Sequence, residues 1–184
     1  MMITLDIDKE PYVKVLSNDK VINLTGQSGS GKSTYAKNNF SGDEYLIIDT
    51  DDIFSINRFK NSSGINRELG NYFREKYDEL PNLGDDFDKI YLEILDYCKD
   101  IDKIIVIDCA QFHCIKDISL LKGKVIVIRT CINTCYNRCI ERFKNNGGYT
   151  FDELEKYKEK KKGIYSWYLQ TNDFIRKLDN LTDN

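Results

Sequence analysis

At 184 residues, with 41% apolar and 31% charged side chains, the chain has the composition of a single globular domain with its own core. A net charge of −3 gives no general attraction to nucleic acid or anionic lipid, so neither a nucleic-acid polymer nor a membrane is an expected partner. No apolar run is long enough to span a bilayer and Met1–Asp6 lacks a signal-peptide pattern, so the expected location is the cytoplasm.

Taken in chain order, Ile3–Ile7 and Tyr12–Leu16 flank Asp8-Lys9-Glu10-Pro11 and are read as a short N-terminal β-hairpin. Val21–Thr25 is a β-branched strand. Directly after it, Gly26-Gln27-Ser28-Gly29-Ser30-Gly31-Lys32-Ser33 completes a G-x-x-x-x-G-K-[ST] sequence, and Thr34 leads into residues that turn helical. A strand, a glycine loop and a helix start form a cradle for the phosphates of a nucleoside triphosphate. Gly26, Gly29 and Gly31 let the backbone wrap closely, so that N–H groups point inward, and the helix adds its positive end. Lys32 is placed to bridge the β- and γ-phosphates and Ser33 to ligate Mg²⁺, while the loop from Gly26 to Thr34 supplies the remaining contacts. ATP and Mg²⁺ are therefore the expected ligands.

Tyr45–Asp49 is the next strand, and it runs into Asp49-Thr50-Asp51-Asp52. Carboxylates beside a phosphate site are electrostatically costly unless they hold a metal or accept a proton. Asp51 is the candidate general base or acceptor-orienting group. A helix N-cap with an acidic first turn is the competing account of the same residues. Ile65, Leu69, Tyr72, Phe73 and Leu80 suggest a helix that stops near Pro81. Phe87, Ile90, Tyr91, Ile94, Leu95 and Cys98 mark an amphipathic helix. Ile104–Asp108 is a buried strand closed by a lone acid, and Asp108 is expected to hold Mg²⁺ directly or through water. Cys109–His113 should line the rim.

Val125–Arg129 is the last strand, followed by a helix from about Asn133 to Lys144. Arg138 and Arg142 share one face of it and are candidates to close over the transferred phosphoryl group. Gly147-Gly148 could let this flap move, which places a mobile lid around residues 138–163. Thr150-Phe151-Asp152-Glu153 has the pattern of a capping box, so a final helix should start there, with a break at Gly163. Lys158–Lys162 reads as a solvated helix face, and Cys131, Cys135 and Cys139, four apart, as core packing rather than zinc ligands. Near-continuous apolar strands at loop–helix spacing indicate an α/β fold. The expectation is a three-layer α/β/α sandwich with a mainly parallel sheet, a single domain over residues 1–184.

Together these residues resemble the P-loop kinases of small molecules and nucleotides, the group that includes nucleoside monophosphate, gluconate and shikimate kinases. The resemblance covers most of residues 20–145. Ile48-Asp49-Thr50-Asp51 looks like the D-x-D after the second strand of shikimate kinases, which implies that Asp51 contacts the acceptor hydroxyl region. Leu69-Gly70-Asn71-Tyr72-Phe73-Arg74 is similar to their G-x-x-x-F-R segment, which implies that Arg74 meets an acceptor anion. The chain departs from them at Cys109-Ala110-Gln111, where they carry a glycine triplet, and no fifth strand is evident beyond residue 150. The implied activity is transfer of the γ-phosphate of ATP to a small-molecule or nucleotide acceptor. Two other readings stay open: a slow ATPase acting as a nucleotide-dependent switch, and a zeta-toxin or polynucleotide-kinase-like enzyme, whose core would look much the same. The D-x-x-G and N-K-x-D of Ras-like GTPases and the L-S-G-G-Q of transporter ATPases are absent.

Overall fold

β-Branched, apolar runs at Val21–Thr25 (β2), Tyr45–Asp49 (β3), Ile104–Asp108 (β4) and Lys124–Val127 (β5) form the parallel strands of one sheet, with apolar residues packed against both of its faces. The computed structural model describes residues 7–145 and 150–181, without the side chains of 151, 153, 154 and 156–162. The strand order is β1-β5-β2-β4-β3, with β1 (Tyr12–Val15) at one edge, antiparallel to β5. Tyr12 to Val15 pair with Val127 to Lys124, and the other strand of the expected hairpin, Ile3–Ile7, lies outside the described residues over Ile3–Asp6. The sheet is thus mixed, with four parallel strands and one antiparallel edge.

Seven helices are present among the described residues: α1 (Lys32–Asn39), α2 (Thr50–Phe54), α3 (Ile56–Phe59), α4 (Gly64–Lys76), α5 (Phe87–Tyr97), α6 (Ile132–Asn145) and α7 (Phe151–Asp179). Successive β4 residues serve opposite layers, as strand geometry requires. Val106 packs with Ile22, Leu24, Ala36 and Phe40 on the α1 side. Ile105 and Ile107 join Leu69, Phe73, Ile90, Ile94, Phe174 and Leu178 on the other, bringing α4, α5 and the end of α7 into one core.

Helix α7 begins at Phe151, as the Thr150 pattern predicts, but it runs unbroken through Gly163. Its anchor lies further on, in Phe174 and Leu178, which are 2% and 0% exposed. Gly147-Gly148, the Glu153 side chain and the side chains of Lys158–Lys162 lie outside the described residues. None of the helices is long and apolar enough to cross a membrane, among the described residues.

Register decides what meets at the carboxyl edge of the sheet. Asp108 is paired with Leu24 on β2 and with Asp49 on β3. One acid therefore stands under the glycine loop that follows Thr25 and beside the acidic turn that follows β3. Such an edge is where open α/β sheets bind ligands.

Candidate functional site

The chain leaves β2 at Thr25 and enters α1 at Lys32 through Gly26–Gly31. Gly29 and Gly31 stand at φ 81° and 90°, left-handed backbone that favours glycine. A Cβ on Gly29 would lie 2.5 Å from the Cys135 carbonyl oxygen, because α6 presses on the loop there. The loop carbonyls are bound from outside: Arg138 Nη1 donates to Gly29 O at 3.0 Å, and Thr130 Oγ1 donates to Ser30 O at 2.6 Å. Across a trans peptide the next N–H points the opposite way, so that of Gly31 faces inward. Tyr35 N–H bonds back to Gly31 O at 2.9 Å, and the N–H groups of Lys32, Ser33 and Thr34 precede it as the open start of the helix. The loop thus has the shape and the sign of charge that a phosphate requires.

Asp108, 2% exposed, lies beneath it. Its Oδ1 is 2.7 Å from Lys32 Nζ, and Ser33 Oγ donates to its Oδ2 at 3.1 Å. Burial pushes the Asp108 carboxyl above the usual carboxylate range, and the Lys32 ammonium opposes that rise. The lysine and the acid that the sequence singles out are therefore partners of one another here. Ser33 and Asp108 also offer hard oxygen donors side by side, the chemistry Mg²⁺ prefers. Among the described residues no three His, Cys, Asp or Glu side chains converge into a metal site of their own.

The three acids after β3 have different placements. Asp49 is the N-cap of α2 and accepts the Asp51 N–H at 3.0 Å. Arg58 on α3 reaches back to all of them, 2.9 Å from Asp49, 3.4 Å from Asp51 and 2.8 Å from Asp52. Burial, followed by the Asp49 charge, raises the Asp52 carboxyl. Asp51 and Arg58 line one cleft of about 230 Å³ with the glycine loop, Ala110, Gln111, Arg142 and Trp167.

Both arginines chosen from α6 lie at this loop, Arg138 on the Gly29 carbonyl and Arg142 on the cleft. Arg74, expected to meet an acceptor anion, is engaged by the fold itself. Its Nη1 donates to Ile53 O at 2.7 Å and to Gly70 O at 3.0 Å, and its guanidinium lies 3.6 Å from the centre of the Phe59 ring. It fastens α4 to α2 and α3 and is not among the residues that line the cleft. Arg129 lies beyond β5 and donates to Glu10 O at 2.6 Å. Arg58 and Trp167 are absent from the sequence candidates. A basic residue one short helix beyond three acids was a usable signal for Arg58, whereas nothing near Trp167 in the chain points to the cleft.

The architecture is similar to one chain in the solved structure of the Pnkp1/Rnl/Hen1 RNA repair complex. That match has 15% identity and a TM-score of 0.50, and it covers 89% of this chain and 46% of the other. At this identity the likeness is one of fold, and the present chain spans about half the length of its neighbour. No protein-family model and no curated protein matches the chain.

His113 and Trp167 pack with ring centroids 5.5 Å apart, behind the cleft wall. Burial lowers the His113 pKa, so the fold favours the neutral ring and the unfolded chain binds the proton more readily. Stability should therefore fall as pH drops through the ordinary histidine range near about 6.5. Thermal melting of His113→Gln should show a shallower acid dependence than the unmodified chain. Equal slopes would remove His113 as the cause.

Proposed function

We propose that this chain is an ATP-dependent phosphotransferase of the P-loop kinase kind, using Mg²⁺ and a hydroxyl-bearing small-molecule or nucleotide acceptor. The observation that carries the proposal is the convergence of Lys32 and Ser33 on buried Asp108 at the mouth of the glycine loop, with Asp51 lining the same cleft. Backbone N–H groups of the loop and Lys32 bind and orient the triphosphate. Ser33 Oγ and Asp108 would hold Mg²⁺, which when bound supplies neutralisation of the phosphate oxygens. Asp51 is held by Arg58 at the cleft, where a carboxylate can orient an acceptor hydroxyl and take its proton. Arg142 and Arg138, from the helix pressed on the loop, add positive charge beside the transferred group. Movement of the segment around 138–163 as a lid belongs to this same reading.

A nucleic-acid end is kept as a second acceptor class, since the solved chain of similar fold belongs to an RNA repair complex. The test is a thermal-shift panel of nucleosides, nucleotides, small hydroxy acids and a short RNA, with Mg²⁺ and a non-hydrolysable ATP analogue. A ligand that binds only the folded state raises its melting temperature. Failure of the ATP analogue to raise it would remove the proposal.

Asp108→Asn preserves shape and deletes charge. It should shift the Mg²⁺ titration of activity to higher concentration by about tenfold or more, while leaving nucleotide binding less affected. An unchanged titration would move the metal role to Asp49 or Asp51.

A further inference from the structure

Sheet register brings a turn from 100 residues further along the chain against the glycine loop. β5 lies beside β2, with Thr25 paired to Val127, and Ile128 N–H donates to Thr25 O at 2.9 Å. The residues after β5 therefore run alongside those after β2. They pass so close that a Cβ on Gly26 would lie 3.3 Å from the Ile128 carbonyl oxygen. Two residues on, Thr130 Oγ1 donates to Ser30 O at 2.6 Å. The turn that carries Thr130 is itself held from two sides. Cys131 N–H donates to Asp8 Oδ1 at 2.7 Å, and the buried Cys135 thiol donates to Thr130 O at 3.7 Å.

Peptide geometry says what this hydroxyl does. Ser30 is 3% exposed, so its carbonyl relies on a partner within the protein. The same peptide unit ends in the Gly31 N–H, and across a trans peptide the two groups point opposite ways. Gly31 stands at φ 90°, and glycine has no side chain to fix the plane of that peptide. Among the described residues, no hydrogen bond uses the Gly31 N–H. The plane is held from its other end, by Thr130.

We infer that Thr130 is a positioning residue that presets the Ser30–Gly31 peptide for a phosphate without touching the ligand. The inference rests on the phosphotransferase reading and adds a determinant of donor affinity that lies outside the G-x-x-x-x-G-K-[ST] sequence. A donor group already aimed at its ligand binds more tightly than one that must first be ordered. The cradle holds the phosphates alike before and during transfer, so Thr130 acts on donor binding rather than on the chemical step. Thr130 also lines a separate cavity of about 110 Å³ with Tyr168 and Asn172, so direct contact with the rest of the donor is the competing role.

The experiment compares Thr130→Val, which removes the hydroxyl at constant shape, with Thr130→Ser, which keeps it. Calorimetric binding is measured for a non-hydrolysable ATP analogue and for inorganic tripolyphosphate, both with Mg²⁺. Thr130→Val should weaken both ligands by the same factor, about tenfold, the scale of one lost hydrogen bond that leaves a buried carbonyl unpaired. Thr130→Ser should restore both to within about threefold of the unmodified chain. In ADP release from ATP, Thr130→Val should raise KM by a similar factor and leave kcat within about twofold. If Thr130→Val folds poorly, Thr130→Ala removes the same donor and takes its place.

Unchanged affinities in the variant that lacks the hydroxyl overturn the inference, as does a fall in kcat at constant KM. Weakening of the ATP analogue alone overturns it in favour of direct contact with the nucleoside. Thr130→Ser binding as weakly as Thr130→Val would assign the effect to packing. Failure of both ligands to bind the unmodified chain overturns the phosphate-loop reading and this role with it.

Discussion

Lys32→Ala is expected to cut phosphoryl transfer by roughly a hundredfold to a thousandfold, the range for losing one preorganised charge-stabilising donor. It is also expected to destabilise the fold. Lys32 Nζ lies 2.7 Å from the Asp108 carboxylate, whose side chain is only 2% exposed. Removing one partner of a buried ion pair leaves the other charge uncompensated, at a cost of about 3–5 kcal/mol. Burial already raises the Asp108 pKa, and loss of the ammonium removes what opposes it. The folded state of the variant therefore holds the proton on Asp108 more tightly than the unfolded chain does. Its stability deficit should shrink as pH falls through that raised pKa and grow as pH rises above it. Denaturant unfolding at several pH values measures this. The double variant Lys32→Ala with Asp108→Asn should regain stability but not activity, and a double variant as unstable as the single one would contradict the pairing.

Asp51→Asn should lower acceptor phosphorylation by at least about a hundredfold, the lower range for loss of a general base. Its effect on background ATP hydrolysis should be smaller, because water needs less positioning than a bound acceptor. Arg142→Ala should instead lower both rates together, since charge stabilisation serves either nucleophile. Arg58 is the feature that makes Asp51 a placed group rather than a free surface acid, because it ties Asp51 to the Asp49 cap. Equal proportional losses in Asp51→Asn and Arg142→Ala, with and without acceptor, would take the base role away from Asp51.

The parts of this site that could be read from the sequence are those carried by short-range rules. The glycine loop lies between a strand and a helix, and glycines stand where positive φ and a close approach by α6 require them. Asp108 was legible because a charged residue closing an apolar strand has few structural uses. Of the acids after β3, the cap account holds for Asp49, which caps α2, while Asp51 lines the cleft. The contacts of Arg74 were not legible, because a shared segment pattern fixes where a residue sits on a helix and says nothing of which carbonyls its guanidinium meets. The pairing of the N-terminal strand with β5 was hidden for a related reason. Tyr12–Val15 has the alternation of a strand, but its partner, β5, lies far along the chain and pairing is decided by the open sheet edge. Trp167 reaches the cleft only because Phe174 and Leu178 anchor α7 in the core, a long-range fact with no local signature.

The measurement that bears most directly on phosphoryl transfer is the initial rate of ADP release with Mg²⁺ and ATP, with and without each ligand that raises the melting temperature. A phosphotransferase built on Lys32, Asp108 and Asp51 should release ADP faster with at least one acceptor, and Asp51→Asn should lose most of that increase. A slow rate that no acceptor raises would contradict the account and leave a nucleotide-dependent switch in its place.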